Sequence, residues 1–459
     1  MSFNRNTAIR LFLAMAFVAS TASWANAQLT AENLLKSSIE QLGPEHREIA
    51  DGIEQFRKGN FLECRNLLKA ARAKDSKVPP DGVLMAQMLY TANQPGLARA
   101  ELERTVKEIP NDPEPFLLFG EVAFQQRRFA DAELAFRRAY ELNSKFSANP
   151  FRKTNMEKRA LSGMAGVAES REDWATATKY LQPILTNDPN DVSNTTRMAR
   201  ALFEQDTNIG DGKDQERDAY QLLIKLWEAN PKKVRRPEIT MGSMYQKAGN
   251  KPISAKLMKK ASDQDKTGLQ TQLTVARWAL GAGDIALAVA CADRAQQISP
   301  QSIEAKLVAG LTARYKKDYA RARQILEEAH LKSPSNLAAM LQLAVVLVEG
   351  SEFDQKIAFE YSQMATRAYP DVGTPSGREA SVTSAWILYR AGRFNEAQRT
   401  LQKALAGGSV SAESSYYAAQ IIHQNNPDVA KRLLNTALSG DGVFPARSDA
   451  EALRTSLGG

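Results

Sequence analysis

Residues 113–143 read PEPFLLFGEVAFQQRRFADAELAFRRAYELN. At a helical period the apolar residues fall into two stripes. Phe116, Phe119, Gly120, Ala123 and Phe124 share one face of a first helix, and Phe129, Ala132, Phe136, Ala139 and Tyr140 share one face of a second. Gly120 lies mid-helix, where glycine costs about 1 kcal/mol against alanine, so its place implies that a neighbouring helix comes close. Ala132 is a small residue in an otherwise bulky stripe, which suits the same close contact.

This alternation resembles the tetratricopeptide repeat. That family pattern runs tryptophan, leucine-glycine, tyrosine, then alanine, phenylalanine, alanine and proline over about 34 residues. The matching positions are Phe116, Phe119-Gly120, Phe124, Ala132, Phe136 and Ala139, and Ser144 stands in place of the closing proline. One such hairpin cannot bury its own apolar face, so neighbours are required. The small position recurs at Cys64, Ala98 and Ala132 in steps of 34, and again at Ser254, Ala288 and Ala322 in steps of 34.

Extending this register predicts about eleven helix pairs, an all-α right-handed superhelical solenoid over residues 49–438. Gly59-Asn60, Gly249-Asn250, Gly283-Asp284 and Gly392-Arg393 mark turns within pairs. Repeat four is eleven residues longer than the period and repeat five eight longer, which places insertions near 144–157 and 205–215; a further loop is expected at 370–378. Residues 28–48 form a polar lead-in with one expected helix over 31–42. The tail, 439–459, is expected to close the array with a helix over 448–457, in which Ser448 and Glu451 have capping-box spacing.

The chain has 459 residues and a formal charge of +8. Residues 1–27 read as a secretory signal peptide: Arg5 and Arg10, an apolar run over 11–22, and the cleavage pattern Ala25-Asn26-Ala27. Without Arg5 and Arg10 the charge is +6. No other stretch is long and apolar enough to cross a bilayer, and no cysteine follows the cleavage site to carry a lipid. An exported protein is expected, periplasmic or secreted. The basic residues form only short runs such as Lys232-Lys233, so no phosphate track and no nucleic-acid partner are expected.

Motifs for catalysis are missing. His46, His330 and His423 lie in separate regions, and there is no H-E-x-x-H, no phosphate loop and no G-x-S-x-G. His330 ends a helix, where an imidazolium would suit the dipole. Asp206, Asn208 and Asp211 suggest a calcium loop, but its sixth and twelfth positions hold Asp211 and Arg217 where glycine and glutamate are needed. Cys64 and Cys291 lie six repeats apart. At roughly 8–10 Å per helix they are far beyond the Cα separation of about 7 Å that a disulfide allows, so both are expected free. No cofactor, metal or catalytic residue is expected.

The resemblance implies that the first helix of each pair lines a concave groove that binds a protein partner. Carried over residue by residue, that groove exposes Tyr90, Phe124, Arg277, Arg314, Tyr315, Trp386 and Tyr389, and large aromatics with arginine are the usual anchors of interfaces. The clamp that some of these proteins use for the carboxy terminus of chaperones is missing, because its positions hold Val83 and Gln87, Leu117 and Glu121, and Leu307 and Leu311. The expected function is a non-enzymatic scaffold of the cell envelope, serving assembly, secretion or polysaccharide export. The alternative is an accessory subunit that tethers a glycan or a catalytic partner.

Overall fold

The computed structural model describes residues 47–206, 209–210, 214–348, 352–439 and 444–458. The expected leader and the helix over 31–42 lie outside them, as does most of the loop around Asp211. Among the described residues all regular structure is helical, in 23 helices. Among the described residues the chain divides into two compact units, 47–237 and 238–458.

The N-terminal unit holds five helix pairs: α1 (Arg47–Arg57) with α2 (Phe61–Lys74), α3 (Asp81–Thr91) with α4 (Pro95–Glu108), α5 (Glu114–Gln125) with α6 (Phe129–Lys145), α7 (Pro150–Ser170) with α8 (Trp174–Asn187), and α9 (Val192–Gln205) with α10 (Asp214–Ala229). The C-terminal unit holds six: α11 (Pro237–Lys247) with α12 (Lys251–Gln264), α13 (Leu269–Ala282) with α14 (Ile285–Ile298), α15 (Ile303–Tyr315) with α16 (Tyr319–Lys332), α17 (Leu337–Val348) with α18 (Glu352–Ala368), α19 (Pro375–Arg390) with α20 (Phe394–Ala406), and α21 (Ala412–Ile422) with α22 (Pro427–Leu438). Helix α23 (Arg447–Ser456) follows.

The small position of each pair explains the register. Cys64, Ala98, Ala132, Ala177, Ala219, Ser254, Ala288, Ala322, Ala358, Ala397 and Ala430 all have no exposed surface. Each sits in the second helix of its pair, where anything larger would push the two backbones apart. The first helices answer with glycine. A Cβ on Gly52, Gly120, Gly242 or Gly310 would stand 3.4, 2.7, 3.2 and 2.7 Å from side-chain atoms of Leu68, Phe136, Met258 and Leu326 respectively, in every case the residue sixteen positions later. The close approach implied by Gly120 is therefore a repeating contact in both units.

Eight of the turns within pairs also share one geometry. The residue between the helices takes a left-handed conformation at Gly59, Gly249, Gly283 and Gly392, with φ of 77–80°, and at Asn93, Arg127, Glu172 and Lys317, with φ of 57–59°. Several second helices then begin on an aspartate or asparagine side chain that accepts a backbone N–H: Asp173 from Thr176, Asp284 from Leu287 and Asp318 from Arg321.

Three local expectations change. The surplus near 144–157 is mostly helix. Asn149 caps α7, Pro150 takes the first helical position, and α7 runs for 21 residues. The loop expected at 370–378 gives way to helix at Pro375, with Thr374 as its cap. The capping box of Ser448 and Glu451 does not form. Helix α23 starts at Arg447, whose Nε donates to Glu451 at 3.2 Å, and its N-cap residue is Ala446. Phe444, buried against the Tyr416 ring at 6.0 Å between centroids, anchors the chain just ahead of that helix.

Candidate interaction surface

In the N-terminal unit the first helices carry charge into the interior. The Nη2 of Arg152 donates to both carboxylate oxygens of Asp112 at 3.0 Å and to Glu114 at 2.6 Å. Arg159 pairs side-on with Glu121 through two bonds of 2.9 Å and reaches Glu114 at 3.2 Å. Arg72 adds a 3.2 Å bond to Asp112 from α2. Asp112, Glu114, Glu121 and Arg152 are all at most 4% exposed. Burial alone would lower the pKa of Arg152, and Glu114 and Asp112 more than reverse it, so the guanidinium stays charged. Each carboxylate faces an arginine that never releases its proton. The network therefore ties α2, α5 and α7 together.

Tyr90 and Phe124, the expected groove residues of this unit, are half-buried. Tyr90 packs at the edge of the cluster formed by Val83, Leu89 and Leu118, and burial raises its hydroxyl pKa against the pull of Arg128 and Arg99. The Phe124 ring lies over Gly166 of the next repeat, 3.2 Å from where a Cβ would be, and meets Phe129 edge-on at 5.6 Å. It fills the seam between repeats.

In the C-terminal unit the first helices of four successive repeats converge. Arg314 on α15 donates to both oxygens of Glu413 on α21, at 2.5 and 3.2 Å. It also donates to the Tyr417 hydroxyl at 2.6 Å and to Gln342 on α17 at 2.8 Å. The Tyr417 hydroxyl in turn donates to Glu413 at 2.9 Å. From α19, the Trp386 indole stacks on Tyr417 with centroids 4.5 Å apart and planes 10° apart, and on Tyr389 at 5.7 Å. The Arg390 guanidinium lies 5.5 Å from the Trp386 ring. Burial opposes the charge on Arg314, but Glu413 outweighs it and raises the pKa, while burial also lifts the Tyr417 and Tyr315 hydroxyls.

The expectation that the groove exposes Arg314 and Trp386 is corrected. They are 3% and 6% exposed: Glu413 and Tyr417, three repeats further on, bond to Arg314, and Tyr417, in the repeat after Trp386, stacks over the indole. Tyr389, Tyr315 and Arg277 remain half-buried. Arg277 is paired with Glu304, and Tyr315 packs beside Leu280 and Trp278. Sequence reading missed Glu413, Gln342 and Tyr416; the available signal was Glu413 four residues before Tyr417, one turn apart on the same helix face. His330 is also corrected. It is buried edge-on against Tyr361 at 4.8 Å, and burial lowers its pKa, so it is neutral at neutral pH rather than a cation at a helix end.

Among the described residues no group of three His, Cys, Asp or Glu side chains could hold a metal, and no helix is long and apolar enough to cross a membrane. Cys64 and Cys291 are free and buried.

The family model of the tetratricopeptide repeat matches residues 83–146 and 382–441. No curated protein sequence matches the chain. Solved structures that resemble it include a tetratricopeptide repeat protein from Parabacteroides merdae, with a TM-score of 0.42 and 13% identity over 66% of this chain and 99% of that one. They also include the yeast Tom70, with a TM-score of 0.39 and 15% identity over 90% of this chain and 95% of that one. YrrB, described as a repeat protein of the same type with an unusual peptide-binding site, has a TM-score of 0.27 and 21% identity over 43% of this chain and 97% of that one.

Proposed function

We propose that the chain is a protein-interaction scaffold that works outside the cytoplasm, in the cell envelope, by holding a partner against the first-helix face of its C-terminal unit. The observation that carries the reading is the half-buried Tyr389 ring, stacked on Trp386 at the edge of a cluster whose other members, Trp386, Tyr417 and Arg314, are buried. These residue types anchor interfaces because they combine large apolar area with a directed polar end. The export reading is supported by the arginine-bearing apolar leader and its Ala25-Asn26-Ala27 pattern. The role within envelope assembly, secretion or polysaccharide export rests on that location.

The test places a photoreactive amino acid at Tyr389 in the full chain, in its native cell, with a second probe at Leu134, an exposed residue on α6. A protein captured at Tyr389 and not at Leu134 is expected. Identical capture from both positions would sink the reading. Sequencing the amino terminus of the exported form, expected at Gln28, checks the location; a chain that retains Met1 and stays in the cytoplasm would refute it. Capture of an enzyme at Tyr389 would turn the scaffold into a tethering subunit.

A further inference from the structure

The contact between Arg314 and Glu413 joins residues 99 positions apart, and it does more than complete a core. The Arg314 side chain is 4% exposed and that of Glu413 is 19% exposed. The arginine is therefore sealed in, while its carboxylate partner sits at the rim, open to solvent on one side. Tyr417 holds the middle, accepting from Arg314 at 2.6 Å and donating to Glu413 at 2.9 Å. A buried guanidinium needs an anion beside it at all times, but nothing in this geometry requires that the anion come from Glu413. Beside it, the Trp386 indole N–H is fully buried with no hydrogen-bond acceptor. A buried donor left unpaired is costly, so an acceptor that reached it would be favoured.

We infer that Glu413 is a built-in stand-in for a carboxylate of the bound partner: the partner's acidic side chain displaces Glu413 from Arg314 and Tyr417, and its neighbouring carbonyl takes the Trp386 N–H. This rests on the scaffold reading above and adds the chemistry of the partner, an acidic extended segment, and its control, since binding must first break an internal ion pair. The closed form keeps Arg314 paired until such a segment arrives. Neutral segments cannot open it, because they would leave the arginine buried without a counter-charge.

The test uses the mature full-length chain and two end-blocked synthetic peptides, tetraglutamate and tetraglutamine, with affinity read by calorimetry. The Glu413→Gln variant keeps the shape of the side chain while releasing Arg314, and it is expected to bind tetraglutamate on the order of tenfold more tightly than the wild type. The double variant Arg314→Leu with Glu413→Leu is expected to bind neither peptide. Equal binding of both peptides, or no gain in Glu413→Gln, would overturn the inference. If Glu413→Gln does not fold, Tyr417→Phe loosens the same contact without changing charge and is expected to show a smaller gain. Failure of both to fold would make Glu413 a structural strut and also overturn it. If a protein is captured at Tyr389 but binds wild type and Glu413→Gln equally, the inference falls and the scaffold reading stands. If nothing is captured at Tyr389 and Glu413→Gln gains no affinity for tetraglutamate, both fall.

Discussion

A Cβ on Gly163 of α7 would stand 2.5 Å from Cζ of Phe136 on α6. The same ring blocks Gly120 of α5 at 2.7 Å. One aromatic side chain with no exposed surface is thus pressed between glycines of two successive first helices, and it sets the spacing of repeats three and four.

Replacing Gly163 by alanine tests this contact. On an open helix the change would stabilise by about 1 kcal/mol. Here the new methyl meets a ring with no room to retreat, and overpacking costs about 1–3 kcal/mol, so Gly163→Ala is expected to lower stability. Phe136→Ala is expected to lower it by about 3–5 kcal/mol. Because the two share one contact, the double variant is expected to lose less than the sum. Additive losses in urea unfolding would mean that the ring and the glycine do not meet.

The buried charge network makes a second prediction. Arg152→Gln leaves Asp112 and Glu114 short of their shared guanidinium, and breaking a buried pair from one side costs about 3–5 kcal/mol. The loss is expected as a lower urea midpoint. A shift no larger than that of an exposed pair, for example after Arg99→Gln, would show that the network is solvated.

Asp191 links stability to pH. It caps α9 through the Asn194 N–H at 2.9 Å and pairs with Lys158 at 2.6 Å. Burial alone would raise its pKa, but the Asn194 and Lys158 contacts lower it on balance. A carboxylate with a depressed folded pKa adds stability that is full above its unfolded value of about 4 and is lost as pH falls through the folded value. Asp191→Asn retains a good cap and loses the ion pair. It is expected to be less stable by about 0.5–1 kcal/mol at neutral pH, since Lys158 is partly exposed, and to converge with the wild type in strong acid. A gap that stays constant with pH would place the whole effect in the cap.

The thiols should be inert. Burial pushes the Cys64 thiol up to about 11, and raises that of Cys291 as well; neither has exposed surface. A thiol reagent at mildly alkaline pH is expected to react with neither until denaturant is added, and then with both. Rapid labelling of the folded protein would show that the hairpin of α1 and α2 or of α13 and α14 opens locally.

Much of the repeat architecture was legible because it depends on short-range sterics. A small residue every 34 positions, a glycine sixteen residues before a bulky partner and a turn residue between them are all local requirements of packing one helix on the next, and they leave a one-dimensional trace. The turns show where that trace thins. Gly59, Gly249, Gly283 and Gly392 announce a left-handed residue, whereas Arg127, Glu172 and Lys317 adopt the same conformation with no such signal, because the packing of the hairpin overrides their preference. The extra length in repeat four was countable, and its becoming helix had a local signal in Asn149-Pro150; what left no such trace was Arg152 meeting Asp112 and Glu114 of another repeat.

The sequence by itself determined that the chain is a stack of helical hairpins and which residues lie at their seams, since each seam is made by residues at most a repeat apart. Only the tertiary structure decided that Arg314 is covered, because its cover comes from Glu413 and Tyr417 three repeats later. Periodicity says that two residues sit on equivalent faces; it says nothing of whether long side chains from those faces meet across the space between them.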